Sequence, residues 1–101
     1  MDRKELAIKF AKSLDYPEIR KIILYGSVVR EEDTEDSDID ILVITDNRKE
    51  IEDRVYSQVA NILLEMEGYV SAKILTNDDY NRVKHTHFIS TIEKEGIVIG
   101  W

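Results

Sequence analysis

The sequence has no cysteine, which removes disulfides, thiolate zinc centres and thiol nucleophiles together. Chemistry is left to oxygen ligands, hydroxyls and two histidines. One proline and four glycines in 101 residues leave no material for a collagen-like, low-complexity or linker-rich chain. Cations are scarce as well: 14 Lys and Arg face 21 Asp and Glu, a net charge of −7, which opposes unassisted binding to a nucleic-acid backbone. The N-terminal MDRKELAIKFAK carries charges every few residues. It offers neither a signal-peptide core nor a membrane span, so a cytoplasmic location is expected. What remains is 43% apolar and 35% charged, the make-up of a compact fold. The length suits one domain over residues 1–101.

Periodicity orders the chain. Leu6, Ala7, Phe10, Ala11 and Leu14 recur at helical spacing, with Asp2 and Glu5 placed as a cap and its third-residue partner, and Tyr16-Pro17 ends the segment. Ile22 to Tyr25 is a short β-branched and aromatic run stopped by Gly26, a strand signal. After an acidic stretch, Ile39 to Ile44 is apolar on both faces beyond Asp40, as an interior strand requires. Ile51, Val55, Val59, Ile62 and Met66 define a long helix from about Asn47 to Glu67, with Gly68 at its C-cap. Tyr69 to Leu75 reads as a third strand. Asn77 can cap a helix carrying Tyr80 and Val83, which extends or restarts through Phe88, Ile89 and Ile92. Gly96 then releases a short strand, Ile97 to Ile99. This order predicts an α/β (α+β) fold, a small mixed β-sheet with helices packed on it: the first two strands antiparallel, and the long helix a crossover between strands two and three.

The chemistry-bearing residues fall between Leu24 and Val43. Gly26-Ser27 follows a strand, ten residues intervene, and Asp38 and Asp40 enter the next strand one residue apart. Side chains at i and i+2 of a strand face the same way, about 7 Å apart, so the two carboxylates can converge on one hard cation. Magnesium fits, since it is held by one or two carboxylates plus substrate phosphates and keeps several waters. Gly26 lets a phosphate approach the backbone and Ser27 adds a hydroxyl and an amide. Arg30 can neutralise phosphate charge or pair with the adjacent Glu31 and Glu32. Each feature alone is ordinary: a turn, a solvated strand start, an acidic loop. Their joint placement at the mouth of an apolar strand is what points to a site, because a charge pair rooted there needs a cation or hydrogen bonds.

Gly26-Ser27, Arg30, Ser37, Asp38 and Asp40 at this spacing resemble the signature of the DNA polymerase β-type nucleotidyltransferases, and the chain's size is similar to that of the minimal nucleotidyltransferases of bacteria and archaea. The resemblance runs from the first helix to Gly96-Ile-Val-Ile. It implies the nucleotidyltransferase fold, binding of ATP with Mg²⁺, and transfer of a nucleoside monophosphate to a hydroxyl with pyrophosphate leaving. It implies catalytic and metal roles for Asp38 and Asp40, and nucleotide contacts for Gly26, Ser27, Arg30 and Ser37. Many minimal members act as antitoxins of a HEPN-type RNase toxin by adenylylating it, so a protein partner is implied as well.

Two departures stand out. The family often has Gly after the motif Arg, where this chain has Glu31. Active members carry a third carboxylate on the following strand; aligning Tyr69 to Thr76 with it places Ser71 there and Lys73 next on the same face. That leaves open slow turnover, a group supplied by a partner, or Lys73 pairing with Asp38 or Asp40 in a metal-free, inactive pocket. A catalytically inactive interaction protein, an antitoxin by binding alone, is therefore the rival reading. Asp78 and Asp79 lie beyond the strand. His85 and His87 read as a surface helix end rather than a metal pair. Trp101 could anchor a dimer or partner or cover the sheet edge, and a free edge allows a homodimer.

Overall fold

The computed structural model describes residues 2–34, 36–66 and 68–100. Helix α1 covers Arg3–Ser13, and the Asp2 side chain accepts the Glu5 backbone N–H as its cap. Strand β1 runs Ile19–Tyr25, a single 3₁₀ turn takes Gly26–Val28, and β2 runs Ile39–Thr45. Helix α2 is Arg48–Met66, opened by Asn47 Oδ1 accepting from the Glu50 N–H. Strand β3 covers Val70–Thr76, α3 Asn77–Val83, α4 His87–Glu95 and β4 Ile97–Gly100. The four strands form one mixed sheet ordered β3-β2-β1-β4, antiparallel at β1–β2 and β1–β4 and parallel at β2–β3. The crossover through α2 sets the parallel pair.

Two local details differ from the sequence reading. Strand β1 begins three residues before Ile22. Its charged Arg20 and Lys21 are accommodated because Arg20 Nε donates to Asp46 Oδ1 at 2.6 Å, while the register shifts between Ile19 and Lys21, a bulge that re-aims the strand. The cap of α3 is Thr76 rather than Asn77. The Thr76 hydroxyl accepts the Asp79 N–H at 3.0 Å, which moves the cap to the last residue of β3. The helix does restart: Thr86 caps α4 through the Ile89 N–H.

The strand period of two sorts the core. Ile22 and Leu24 of β1, with Ile39, Ile41 and Val43 of β2, pack against α1 and α2 through Phe10, Leu14, Ile51 and Val55. Ile23, Tyr25, Leu42 and Ile44 lie on the opposite face against Tyr80, Ile89 and Ile92 of the short helices α3 and α4. Asp40 belongs to that second face. Leu42 is fully buried there, but Asp40 is only partly covered and Asp38 is exposed. The thinner helical layer thus ends before the start of β2 and leaves a corner open to solvent.

Candidate functional site

Three strands meet at that corner. Antiparallel pairing sets Tyr25 opposite Asp40, and parallel pairing sets Ser71 opposite the same residue. Gly26 follows Tyr25 with φ +80, a left-handed conformation that would cost an L-residue about 1–2 kcal/mol. A Cβ on Gly26 would collide with Asp40 Oδ2 and lie 3.1 Å from its Cγ. The turn is therefore pressed onto the carboxylate, and only glycine satisfies both its backbone angle and its clearance.

The electrostatics follow from this packing. Partial burial, and then the neighbouring Asp38 charge, push the Asp40 carboxyl above the ordinary carboxylate range; Lys73 and Arg30 pull the other way. The Tyr25 phenol is pushed up to about 12, first by burial and then by Asp40. Neither Asp38 nor Asp40 is in an ion pair among the described residues. Two like charges share a half-covered corner with no counterion in contact.

The other predicted residues are placed differently. Ser27 lies in the 3₁₀ turn, partly exposed beside Gly26. Arg30 pairs with Glu32, its Nε donating at 3.0 Å, and with Glu95 at 3.6 Å; neighbouring Glu31 is in neither pair. Glu31 takes φ +58, so the position where the family often has glycine adopts a glycine-favouring angle here. The Ser37 hydroxyl accepts the Thr34 N–H at 2.8 Å, and its carbonyl accepts from Arg3 Nε at 3.1 Å; Ser37 closes the acidic loop. Lys73 forms no ion pair with Asp38 or Asp40. Its ammonium sits over the Phe88 ring, 5.8 Å from the centroid. Asp79 pairs with Arg82 at the start of α3, at the far end of β3 from Ser71. His85 and His87 are both exposed, and no cluster of three or more His, Asp or Glu gathers among the described residues. Trp101 lies outside the described residues.

One wall of the corner was not legible in the sequence. Phe88 of α4 stands edge-on to Tyr25, with ring centres 6.1 Å apart, and is 49% exposed. Tyr25, Gly26, Arg30, Phe88, Thr91, Ile92 and Glu95 line a cavity of about 200 Å³, which the Gly26 turn borders and Asp38 and Asp40 do not. Phe88 has the apolar character of a core residue, and only the docking of α4 shows that it borders the opening. The available signal was Ile89 and Ile92, which already supply the buried stripe and leave Phe88 outside it.

A family model described as "Polymerase beta, Nucleotidyltransferase" matches residues 7–100, and the chain belongs to that nucleotidyltransferase family. It is similar to "Putative protein adenylyltransferase MJ0604" of Methanocaldococcus jannaschii, 33% identical over 81 residues that cover 80% of this chain and 78% of that protein. Among solved structures it superposes on a chain of the toxin-antitoxin MntA-HpeT, in a mutant with two aspartates changed to glutamate, with TM-score 0.65 at 16% identity. A toxin-antitoxin structure with AMP-PNP gives TM-score 0.62 at 18% identity. In both cases the match covers 100% of this chain and 75% of the other. At these identities the structural likeness carries the fold, which is the nucleotidyltransferase fold. No helix among the described residues is long and apolar enough to cross a membrane.

The family implies a divalent cation. The chemistry of the donors fits one: the two carboxylates of Asp38 and Asp40, all oxygen, with no ion-pair partner among the described residues. There is no closed protein cage among the described residues. That suits an ion which completes its shell with water and phosphate rather than one that needs four protein ligands.

Proposed function

We propose that this chain, as a single domain, transfers a nucleoside monophosphate, AMP from Mg-ATP, to a hydroxyl on a protein partner, and that the partner is a HEPN-type toxin for which it is the antitoxin. The observation that carries the reading is the contact of Gly26 with Asp40, which puts the Gly26–Ser27 turn against the carboxylate pair. Support for the nucleotide comes from the adenylyltransferase relative and the AMP-PNP structure; support for the partner comes from the toxin-antitoxin neighbours.

In this reading Asp38 and Asp40 hold Mg²⁺, which when bound polarises the phosphate and offsets its charge. Gly26 and Ser27 receive the triphosphate, Gly26 by letting the turn close onto Asp40 and Ser27 by its hydroxyl. Ser37 holds the loop that delivers Asp38. Arg30 reaches phosphate only by exchanging Glu32 and Glu95 for it, so it is a late contact. The acceptor oxygen forms a bond to the α-phosphorus in line with the departing pyrophosphate, whose P–O bond breaks, and the hydroxyl proton leaves to solvent. Ser71 cannot take that proton as a carboxylate would, and a missing general base costs about 10²–10⁴-fold. Slow turnover is the expectation.

The test is transfer of labelled AMP from ATP to a co-expressed HEPN partner with Mg²⁺. Label should appear, vanish with Asp38→Asn, and increase with Ser71→Asp, which restores an acid opposite Asp40. The second reading, an antitoxin by binding alone, is favoured by Ser71 itself. It predicts no label and a complex that forms equally well with Asp38→Asn and without nucleotide.

A further inference from the structure

The β3 side of the corner holds a charge that the proposed chemistry has not used. Ser71 and Lys73 alternate with inward Ala72 and Ile74, so both share the Asp40 face of the sheet. Ser71, opposite Asp40, brings no charge. Lys73 is two residues on, opposite Leu42, and brings an ammonium. That ammonium is in no ion pair among the described residues. It sits over Phe88, which in turn stands against Tyr25, the residue preceding Gly26. An aromatic face holds an ammonium in place without neutralising it. A lysine held this way has no carboxylate partner to give up to an anion entering the corner, and it is near enough to act on Asp40.

Charge counting gives this arrangement a role. One divalent cation with two carboxylates and one ammonium leaves a single net positive charge. In the arrangement that the family resemblance implies, two divalent cations with three carboxylates leave the same. Losing the third acid and gaining Lys73 therefore preserves the field that a triphosphate meets.

We propose that Lys73 takes the place of a second divalent cation: its ammonium binds the nucleotide's phosphate oxygens directly, and the site accepts a nucleoside triphosphate with one metal ion instead of two. This rests on the nucleotide-site reading above. It extends that reading by assigning Lys73 as a substrate-binding residue and Phe88 as the residue that positions it.

The test titrates the full chain with AMP-PNP in the presence of Mn²⁺, reading affinity by calorimetry and bound metal by electron paramagnetic resonance. The wild type should hold one Mn²⁺ per chain at saturating AMP-PNP. Lys73→Met keeps the stem and drops the charge; it should weaken AMP-PNP about tenfold or more, the worth of a charge-assisted hydrogen bond. Lys73→Arg should restore most of that loss. Ser71→Asp combined with Lys73→Met should admit a second Mn²⁺. Lys73 is exposed, and unchanged urea midpoints exclude misfolding as the cause. Two Mn²⁺ in the wild type, or AMP-PNP binding within about twofold after Lys73→Met, overturns the Lys73 assignment and leaves the nucleotide site standing. No AMP-PNP binding by the wild type overturns both.

Discussion

Replacing Gly26 by alanine separates two energies that meet at one atom. The first is backbone: at φ +80 an L-residue is worse than glycine by about 1–2 kcal/mol. The second is contact, because the new methyl falls on Asp40 Oδ2 and lies 3.1 Å from its Cγ. Relieving such overpacking costs typically about 1–3 kcal/mol. Gly26→Ala should therefore lower unfolding free energy by about 2–5 kcal/mol, a large share of the roughly 5–15 kcal/mol of an ordinary domain. The terms part company in a double-mutant cycle. In an Asp40→Ala background the Cγ and Oδ2 are gone and only the Cβ, 3.3 Å away, remains, so the same glycine change should cost little more than the backbone share. The coupling should be about 1–3 kcal/mol, read from urea midpoints of the four proteins. Additivity within about 0.5 kcal/mol would show that Asp40 is not held against the turn, and the pressed contact on which the site is built would fall.

Other expectations follow from particular angles and charges. Glu31→Gly removes about 1–2 kcal/mol of strain at φ +58. The freer unfolded chain takes back about 0.4–1 kcal/mol, so urea unfolding should show unchanged or slightly higher stability; a loss of more than about 1 kcal/mol would mean that the Glu31 side chain is itself needed. Asp40 carries a raised folded-state pKa from burial and Asp38. Its stabilising contribution is thus present when protonated and is lost as pH rises through the folded value. The metal-free Asp40→Asn variant should melt higher than wild type at neutral pH, with the advantage fading on acidification into the carboxylate range. An advantage that grows on acidification has the wrong sign for this account. With Mg²⁺ and AMP-PNP present the order should reverse, since the variant forfeits ligand stabilisation.

The legible part of this fold was the part set by local patterning. β2 is apolar on both faces past Asp40, which announced an interior strand, and the three-four spacing of Ile51 through Met66 announced α2. Their order required a crossover and so a mixed sheet. The placement of β4 beside β1 came from no local signal, because a four-residue strand is assigned only by the edge it finds. Arg20 and Lys21 stood outside the strand read from Ile22, and it is Asp46, just past the end of β2, that gives Arg20 a partner. Within the site, the spacing of Gly26, Asp38 and Asp40 was informative because strand geometry fixes where alternate side chains go. Arg30, Lys73 and Phe88 were harder. Long side chains choose among partners by tertiary position, and Glu95, which lies far along the chain, decides what Arg30 touches.

The central claim is that one metal-nucleotide site is built from the Gly26–Ser27 turn and the Asp38–Asp40 pair. It is tested most directly by paramagnetic broadening of backbone amide signals on adding Mn²⁺ with AMP-PNP. Broadening should centre on residues 26–27, 38–40 and 71–73 and spare His85 and His87. Broadening centred instead on the acidic loop at residues 31–34, with the amides of Gly26 and Asp40 unaffected, would contradict it.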